Sequence, residues 1–325
     1  MRYFLTCACL AVSLAGCGNG TPHKDTNTLP QQAAVDSNHT AQSDTAAQPK
    51  ATPQPAQLPT ATAADRTLVE RILQTTKANY ASWGKEKTIL WIARQLIGVP
   101  YVAHTLDRSD TEQMVINLHE LDCTTYVEAV LSLARCTFEG KTTFADYCRM
   151  AQKVRYRQGK VGYESRLHYF QWWVDDNERK GLVKEISSPA TFFTARQRLR
   201  IDYMSTHADS YSMLRHHPER TEAIARQEKE WLGKTVAYIP KAKLNDQRLR
   251  QVVHDGDIIG LVTNKEGLDA SHLGIAVWHK DGLYLLNASS LKKNGNQVVE
   301  PRETLFSYLA ARKHNTGIRV LRICE

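Results

Sequence analysis

Several features are scarce in this 325-residue chain. There is no Cys-x-x-Cys pair, so a structural zinc site has no support. There is no internal repeat, and after residue 17 no apolar run is long enough to span a bilayer. Charge of a single sign is missing too. The 42 Lys and Arg face 34 Asp and Glu, for a formal net charge of +8. The two signs alternate, as in "RQRLR" followed by "IDY" and "HHPER" followed by "TEAIARQEKE". That pattern reads as a solvated, mildly basic surface and argues against nucleic acid as a partner. Net basicity still gives a weak attraction to an acidic polymer such as a bacterial wall.

Large apolar residues are nearly missing from Gly18 to about Ala64, a stretch of Thr, Ala, Gln, Pro, Ser and Asn. Such a segment cannot bury enough surface to offset its ordering entropy, so it is expected to be disordered. As a flexible coil its roughly 45 residues reach about 40 Å root-mean-square. The seventeen residues before it, "MRYFLTCACLAVSLAGC", carry one arginine and a short apolar run, the pattern of a secretory signal. Leu14-Ala15-Gly16-Cys17 matches the bacterial lipobox, in which cleavage leaves the cysteine as a lipid-bearing N-terminus. The expectation is an exported lipoprotein held to the outer membrane through the lipid on Cys17 and facing the periplasm. Residues 1–17 are its signal, 18–64 its tether and 65–325 one domain, a monomer.

Cys7 and Cys9 leave with the signal, so Cys123, Cys136, Cys148 and Cys324 remain in an oxidising compartment. Four cysteines allow two disulfides in three connectivities. A working thiol at Cys123 would leave one of the others unpaired, or bridged to another chain.

The domain opens with helical patterns and closes with strands. "TLVERIL" pairs Thr67 with Glu70 as a capping box. Ile89, Ile92, Ala93 and Leu96 repeat at helical spacing until "GVP" stops them, and Val127, Val130, Leu131 and Ala134 mark another buried stripe. Further helices are expected over about 142–157, 166–180, 190–200 and 216–231. Strands are expected at 235–239, 256–262, 272–278, 283–289 and 318–323. Helices first and an antiparallel sheet second indicate the α+β class.

"HELDCTTYVEAV" poses the functional question. Taken alone, Cys123 reads as a small core residue at the top of the 127–130–134 stripe. Its neighbours alter that reading. Asp122, Thr124 and Thr125 suit a helix N-terminus, and a thiol there meets the positive end of the helix dipole. "GVPY" brings Tyr101 into the preceding loop. In the strands, His272, Gly274, Ala276 and Trp278 share one face, whose small residues leave room for a helix end to come close. If residues 279–282 form the hairpin loop, Asn287 lies opposite Gly274 and diagonal to His272. His279 falls at the turn and reads as surface. Cysteine, histidine and asparagine so arranged follow the logic of a nucleophile, a base and a group that orients the base.

"GVPY", "LDCTTYVEAV" and "GDII…SHLGIAVW…LLNAS" together resemble the NlpC-type papain-like peptidases of bacterial cell walls. "SRLHYFQWWVDDN", "MSTHADSY" and "YIPK" are similar to the N-acetylmuramoyl-L-alanine amidase-like branch of that superfamily. The resemblance runs from about Leu68 to the C-terminus. It implies a papain-like fold with helices packed on an antiparallel sheet. It also implies Cys123 as nucleophile, His272 as base, Asn287 as orienting group and Tyr101 near thiol and substrate, with Asp122 beside the substrate. "DCTT" stands where "DCSG" is more usual. The implied substrate is a peptidoglycan fragment, intact or anhydro-muropeptide, cut at the amide between N-acetylmuramic acid and L-alanine without metal or cofactor. From "YESRLHYFQWW", Arg166 and His168 are candidates for contact with sugar or carboxylate, while Phe170 and Trp172 read as core. His104, His119 and His207 read as surface or structural. Three other readings stand beside this one. They are a γ-D-glutamyl-diamino-acid endopeptidase, a catalytically silent wall-binding module, and a zinc enzyme using Cys123, His168 and His272.

Overall fold

The computed structural model describes residues 59–325. The expected signal segment, Cys17 and the part of the expected tether up to residue 58 lie outside the described residues. The described residues begin a little before the expected boundary at 65 and are held to the rest of the domain from the start. The Thr60 N–H donates to the Met114 carbonyl at 2.8 Å, and the Ile116 N–H donates to that of Thr60 at 2.8 Å. Helix α1, Ala63–Arg94, follows at once. Its cap is Thr62, whose hydroxyl accepts from Asp65 N at 3.1 Å while the Asp65 carboxylate accepts from Thr62 N at 2.9 Å. The box expected at Thr67 and Glu70 is therefore not the one used. Thr67 lies a turn inside and donates to the Ala63 carbonyl at 3.0 Å. An aspartate serves in this box as well as a glutamate, and two alanines then favour the helix early. Gly84, with φ +71°, breaks α1 into two helical runs.

Helices α2 (Cys123–Phe138), α3 (Phe144–Arg155) and α4 (Phe170–Arg179) pack with α1 into the helical layer. Fourteen of the sixteen residues of α2 are buried, so it is the central helix. Even its charge is internal: Arg155 donates to Glu128 at 2.7 Å and to the Val115 carbonyl at 2.6 Å. That pairing ties α2, α3 and the loop before α2 together. α4 starts four residues later than expected, because Arg166 forms an antiparallel bridge with Tyr156 instead of helix.

Strand β1 (Val183–Ile186) and strand β2 (Ala195–Arg198) come next. β2 corrects the helix expected over 190–200. Its four residues pair with Tyr238 to Thr235, and tertiary pairing overrides the helical preference of Ala, Gln and Arg. After the short α5 (Tyr203–Thr206) and α6 (Pro218–Lys229) come β3 (Thr235–Pro240), β4 (Ile258–Thr263), β5 (Ala270–His279), β6 (Gly282–Ala288) and β7 (Val298–Val299). A helix the sequence did not announce, α7 (Leu305–Ala310), precedes β8 (Asn315–Ile323). The sheet order is β2-β3-β8-β4-β5-β6-β7, with β1 also on β8, and every pairing is antiparallel. The α+β class is therefore observed.

Both faces of the sheet are covered. Ile258, Leu273, Ile275, Val277, Leu286 and Leu321 join the apolar cluster that contains Val127 and Val130 of α2. Ile259, Leu261, Ala276, Leu285 and Val320 join a second cluster with Leu305 and Leu309 of α7. Each fully buried aliphatic side chain of this kind contributes about 1.5–3 kcal/mol. Among the described residues no helix is long and apolar enough to cross a membrane, and Cys136, Cys148 and Cys324 are free thiols.

Candidate functional site

Cys123 is the first residue of α2, directly behind the N-cap Asp122. Asp122 Oδ1 accepts from Thr124 N at 3.0 Å, Thr125 N at 2.8 Å and Thr125 Oγ1 at 2.9 Å. The threonine hydroxyl in turn accepts from Asp122 N at 2.9 Å. This reciprocal cap fixes the first turn and with it the sulfur. The Asp122 carboxylate thus serves the helix. Burial, helped by the charge of Cys123, pushes its pKa up to about 6 although the bonds from Thr125 act the other way.

The loop before α2 is pinned as closely. Leu121 N donates to Pro100 O at 3.0 Å and Val102 N donates to Leu121 O at 3.1 Å, a parallel bridge between Tyr101 and Leu121. Tyr101 N also donates to Asn296 O at 2.7 Å. Tyr101 is therefore held two residues along the ladder from Cys123 and fastened to the segment that follows β6.

His272 lies on β5 beside a bulge. Leu261 pairs with His272 and Val262 with Ala270, so Ser271 is the extra residue. The β5–β6 hairpin closes at His279↔Gly282, leaving Lys280 and Asp281 as its loop. The register Ile275↔Leu286, continued by one pair, sets Asn287 opposite Gly274 and diagonal to His272. The contact follows: His272 Nε2 lies 2.9 Å from Asn287 Oδ1. The amide cannot be turned round. Asn287 Nδ2 donates to the Leu285 carbonyl at 2.7 Å, and a carbonyl only accepts. Asn287 Oδ1 must then face the ring, so Nε2 carries the proton and Nδ1 is left for the thiol. The Cys123 side chain is hydrogen-bonded to His272. Burial alone would lower the histidine pKa. The charge of Cys123 and the bonds from Cys123 and Asn287 outweigh it, and the pKa is raised. Cys123, His272 and Asn287 are all buried, at 1%, 9% and 2% exposure, so little water competes for these bonds.

The role expected of Gly274 needs correction. A Cβ there would lie 2.8 Å from Leu285 Cδ1 and 2.8 Å from the Leu286 carbonyl. The space is filled by the neighbouring strand, not by the end of α2. The body of α2 packs on the opposite face, against Leu273, Ile275 and Val277.

Arg166 does not stand open. Its Nη2 is 2.5 Å from Asp107 Oδ1 and 3.5 Å from Glu112 Oε2, and its guanidinium lies 4.8 Å from the Tyr163 ring centroid. His168 donates from Nε2 to the Tyr163 carbonyl at 2.7 Å, and burial beside Arg166 drives its pKa down to about 3. A ligand set of Cys123, His168 and His272 is not assembled: among the described residues no three His, Cys, Asp or Glu side chains converge as a metal site. Phe170 and Trp172 are core, as read from the sequence. His207 is exposed and stacks on Tyr203 at 3.9 Å between ring centroids. His279 is exposed and bonds Glu300 at 2.6 Å. Burial pushes the thiols of Cys136 and Cys148 up to about 12 and about 11, as befits inert core cysteines.

Two residues whose charges couple to the Cys123–His272 pair escaped the sequence. Tyr308 packs against the cluster under Leu285, and the charge of Cys123 acts on its hydroxyl. Arg312 follows α7, and its charge acts on His272. The only sequence signal was Thr304-x-x-Ser307 ahead of Leu305 and Leu309, a cap and one apolar turn.

The comparisons agree with this architecture. The chain resembles a solved N-acetylmuramoyl-L-alanine amidase from Bacteroides uniformis, with 38% identity, TM-score 0.69, and 74% of this chain and 99% of that chain covered. It resembles a protein from Bacteroides fragilis described as a candidate xylanase, with 42% identity, TM-score 0.67, and 72% and 100% covered. A Legionella pneumophila protein at 21% identity and TM-score 0.58, covering 81% of this chain and 97% of that one, shows that the fold recurs. No curated protein matches significantly. The family model described as "AmiA-like: N-acetylmuramoyl-L-alanine amidase-like" matches residues 91–318, the span that holds Cys123, His272 and Asn287. On that match, and on its likeness to the Bacteroides uniformis amidase, the chain belongs to the N-acetylmuramoyl-L-alanine amidase-like family.

Proposed function

We propose that this protein is a cysteine amidase of papain-like, NlpC-type architecture. It hydrolyses the amide between the lactyl group of N-acetylmuramic acid and L-alanine in peptidoglycan fragments. The observation that carries the reading is the position of His272, bonded on one side to Cys123 and on the other to an Asn287 amide whose orientation is fixed.

In this reading the thiolate of Cys123 is paired with protonated His272 at the positive end of α2, where thiolate is favoured. Sulfur attacks the lactyl carbonyl. The Asp122 carboxylate already holds the N–H groups of Thr124 and Thr125, and we assign the Cys123 N–H to the developing oxyanion, a donor worth about 3 kcal/mol. Protonated His272 gives its proton to the leaving alanine nitrogen as the C–N bond breaks and a thioester remains. The neutral imidazole then takes a proton from water, hydroxide attacks the thioester, and the acid and the thiol are released. Asn287 holds the ring in the productive tautomer throughout.

A glycan hydrolase would need two carboxylates flanking a glycosidic bond. Thiol, imidazole and amide in line are the groups of acyl transfer instead. We further propose that residues 1–17 direct export, that Cys17 carries lipid, and that residues 18–58 tether the domain to the membrane on the periplasmic side. Replacing Cys123 with alanine should leave a folded domain that releases no peptide from muropeptides, read by mass spectrometry. Turnover retained in that variant would refute the assignment. Cut stem peptides from the native protein would place it among endopeptidases.

A further inference from the structure

Arg312 differs from the arginines that the fold uses structurally. Arg155, Arg166, Arg319 and Arg322 are each matched to a carboxylate, Glu128, Asp107, Glu185 and Asp257 respectively. Arg312 is partly buried, and among the described residues it forms no salt bridge. It is nevertheless held in place. Its guanidinium lies 3.5 Å from the Tyr308 ring centroid, and its Nη1 donates to the Tyr308 carbonyl at 2.6 Å. Stacking and a backbone bond remove rotamers that a free arginine would have to give up on binding.

Its place in the fold points to the thiol. α7 packs on the sheet face that carries Ala276 and Leu285. His272 and Asn287 have the same parity on β5 and β6 as those two residues. α7 also contacts β6, the strand that carries Asn287, so Arg312 at the end of α7 stands on the side of the sheet where His272 and Asn287 lie, and its charge acts on His272.

We propose that Arg312, braced by Tyr308, binds a substrate carboxylate next to the scissile bond and makes the enzyme selective for acidic over amidated substrates. On the amidase reading, on which the identity of this group rests, the carboxylate is the α-carboxylate of the D-glutamate that follows L-alanine. It lies about 7 Å from the scissile carbon, two residues' reach. A fixed planar fork suits a carboxylate and ignores a neutral amide.

The test compares N-acetylmuramoyl-L-alanyl-D-glutamate with its α-amide, for the native protein, Arg312→Gln and Arg312→Lys. The native protein should favour the acid. Arg312→Gln should raise KM for the acid about tenfold or more relative to the amide, and Arg312→Lys should restore part of the preference. In parallel, Cys123 is alkylated with iodoacetate and with iodoacetamide. Arg312→Gln should lower the rate ratio of the anionic to the neutral reagent severalfold. A native enzyme that cleaves acid and amide equally well, or a variant that shifts both substrates alike, overturns the carboxylate assignment. An unchanged alkylation ratio overturns the placement of the cation. If the native protein cleaves neither compound while the ratio falls, the amidase reading has failed and the anion site beside the thiol stands.

Discussion

Replacing Asn287 with alanine removes its bonds to the His272 ring and to the Leu285 carbonyl, leaves nucleophile and base in place, and acts on catalysis through the first of them. The lost bond is 2.9 Å long, buried, and made to a ring that is charged for part of the cycle. A hydrogen bond to a charged partner is worth about 1.5–3 kcal/mol, so kcat/KM should fall about 10- to 150-fold. A pH effect of defined sign accompanies the loss. The Asn287 bond helps to raise the pKa of His272. Without it the imidazolium gives up its proton more readily, and the alkaline limb of the kcat/KM profile moves to lower pH. The assay is peptide release across pH 5 to 10, with circular dichroism to confirm the fold. Asn287→Gln would not substitute, because a longer side chain cannot keep both the Leu285 carbonyl and the ring. An alkaline limb that stays put or moves upward in Asn287→Ala would refute the reasoning, whatever the loss of rate.

Two further outcomes concern the fold around the site. Gly274→Ala drives a methyl against Leu285 and should cost about 1–3 kcal/mol; Leu285→Ala in the same chain should recover part of it, and additive losses in urea melts would contradict the contact. Asp122 has its folded pKa raised to about 6 from 3.8. Its ionisation therefore costs stability, a penalty absent below about pH 4 and complete above about pH 6, of up to roughly 3 kcal/mol. Asparagine caps a helix as well as aspartate, so Asp122→Asn should melt increasingly above the native protein as pH rises through that window. A constant difference in melting temperature would count against the raised value.

The site could be read from sequence wherever the chemistry was local or periodic. Asp-Cys-Thr-Thr announces a helix start because short polar side chains close to it satisfy its free N–H groups. Alternation along β5 and β6 sets His272 and Asn287 on one face, and the register that joins them depends on the hairpin turn alone. What escaped was long-range. Arg166 looked available because its partner Asp107 lies 59 residues away. The space at Gly274 was assigned to the wrong neighbour, since parity says which face a residue occupies and not what covers that face. β2 is four residues long and gets its strand character from β3. α7 is a six-residue helix, shorter than periodicity can establish, and Arg312 escaped notice along with it.

The central claim is that the Cys123 sulfur attacks the lactyl carbonyl. Rapid quenching during turnover of a muramoyl-peptide, followed by mass analysis of the fragment containing residue 123, tests it directly. The expected adduct sits on Cys123, has the mass of one N-acetylmuramoyl acyl group and carries no amino acid. An adduct that also carries alanine and glutamate, or a modification at another residue, would contradict it.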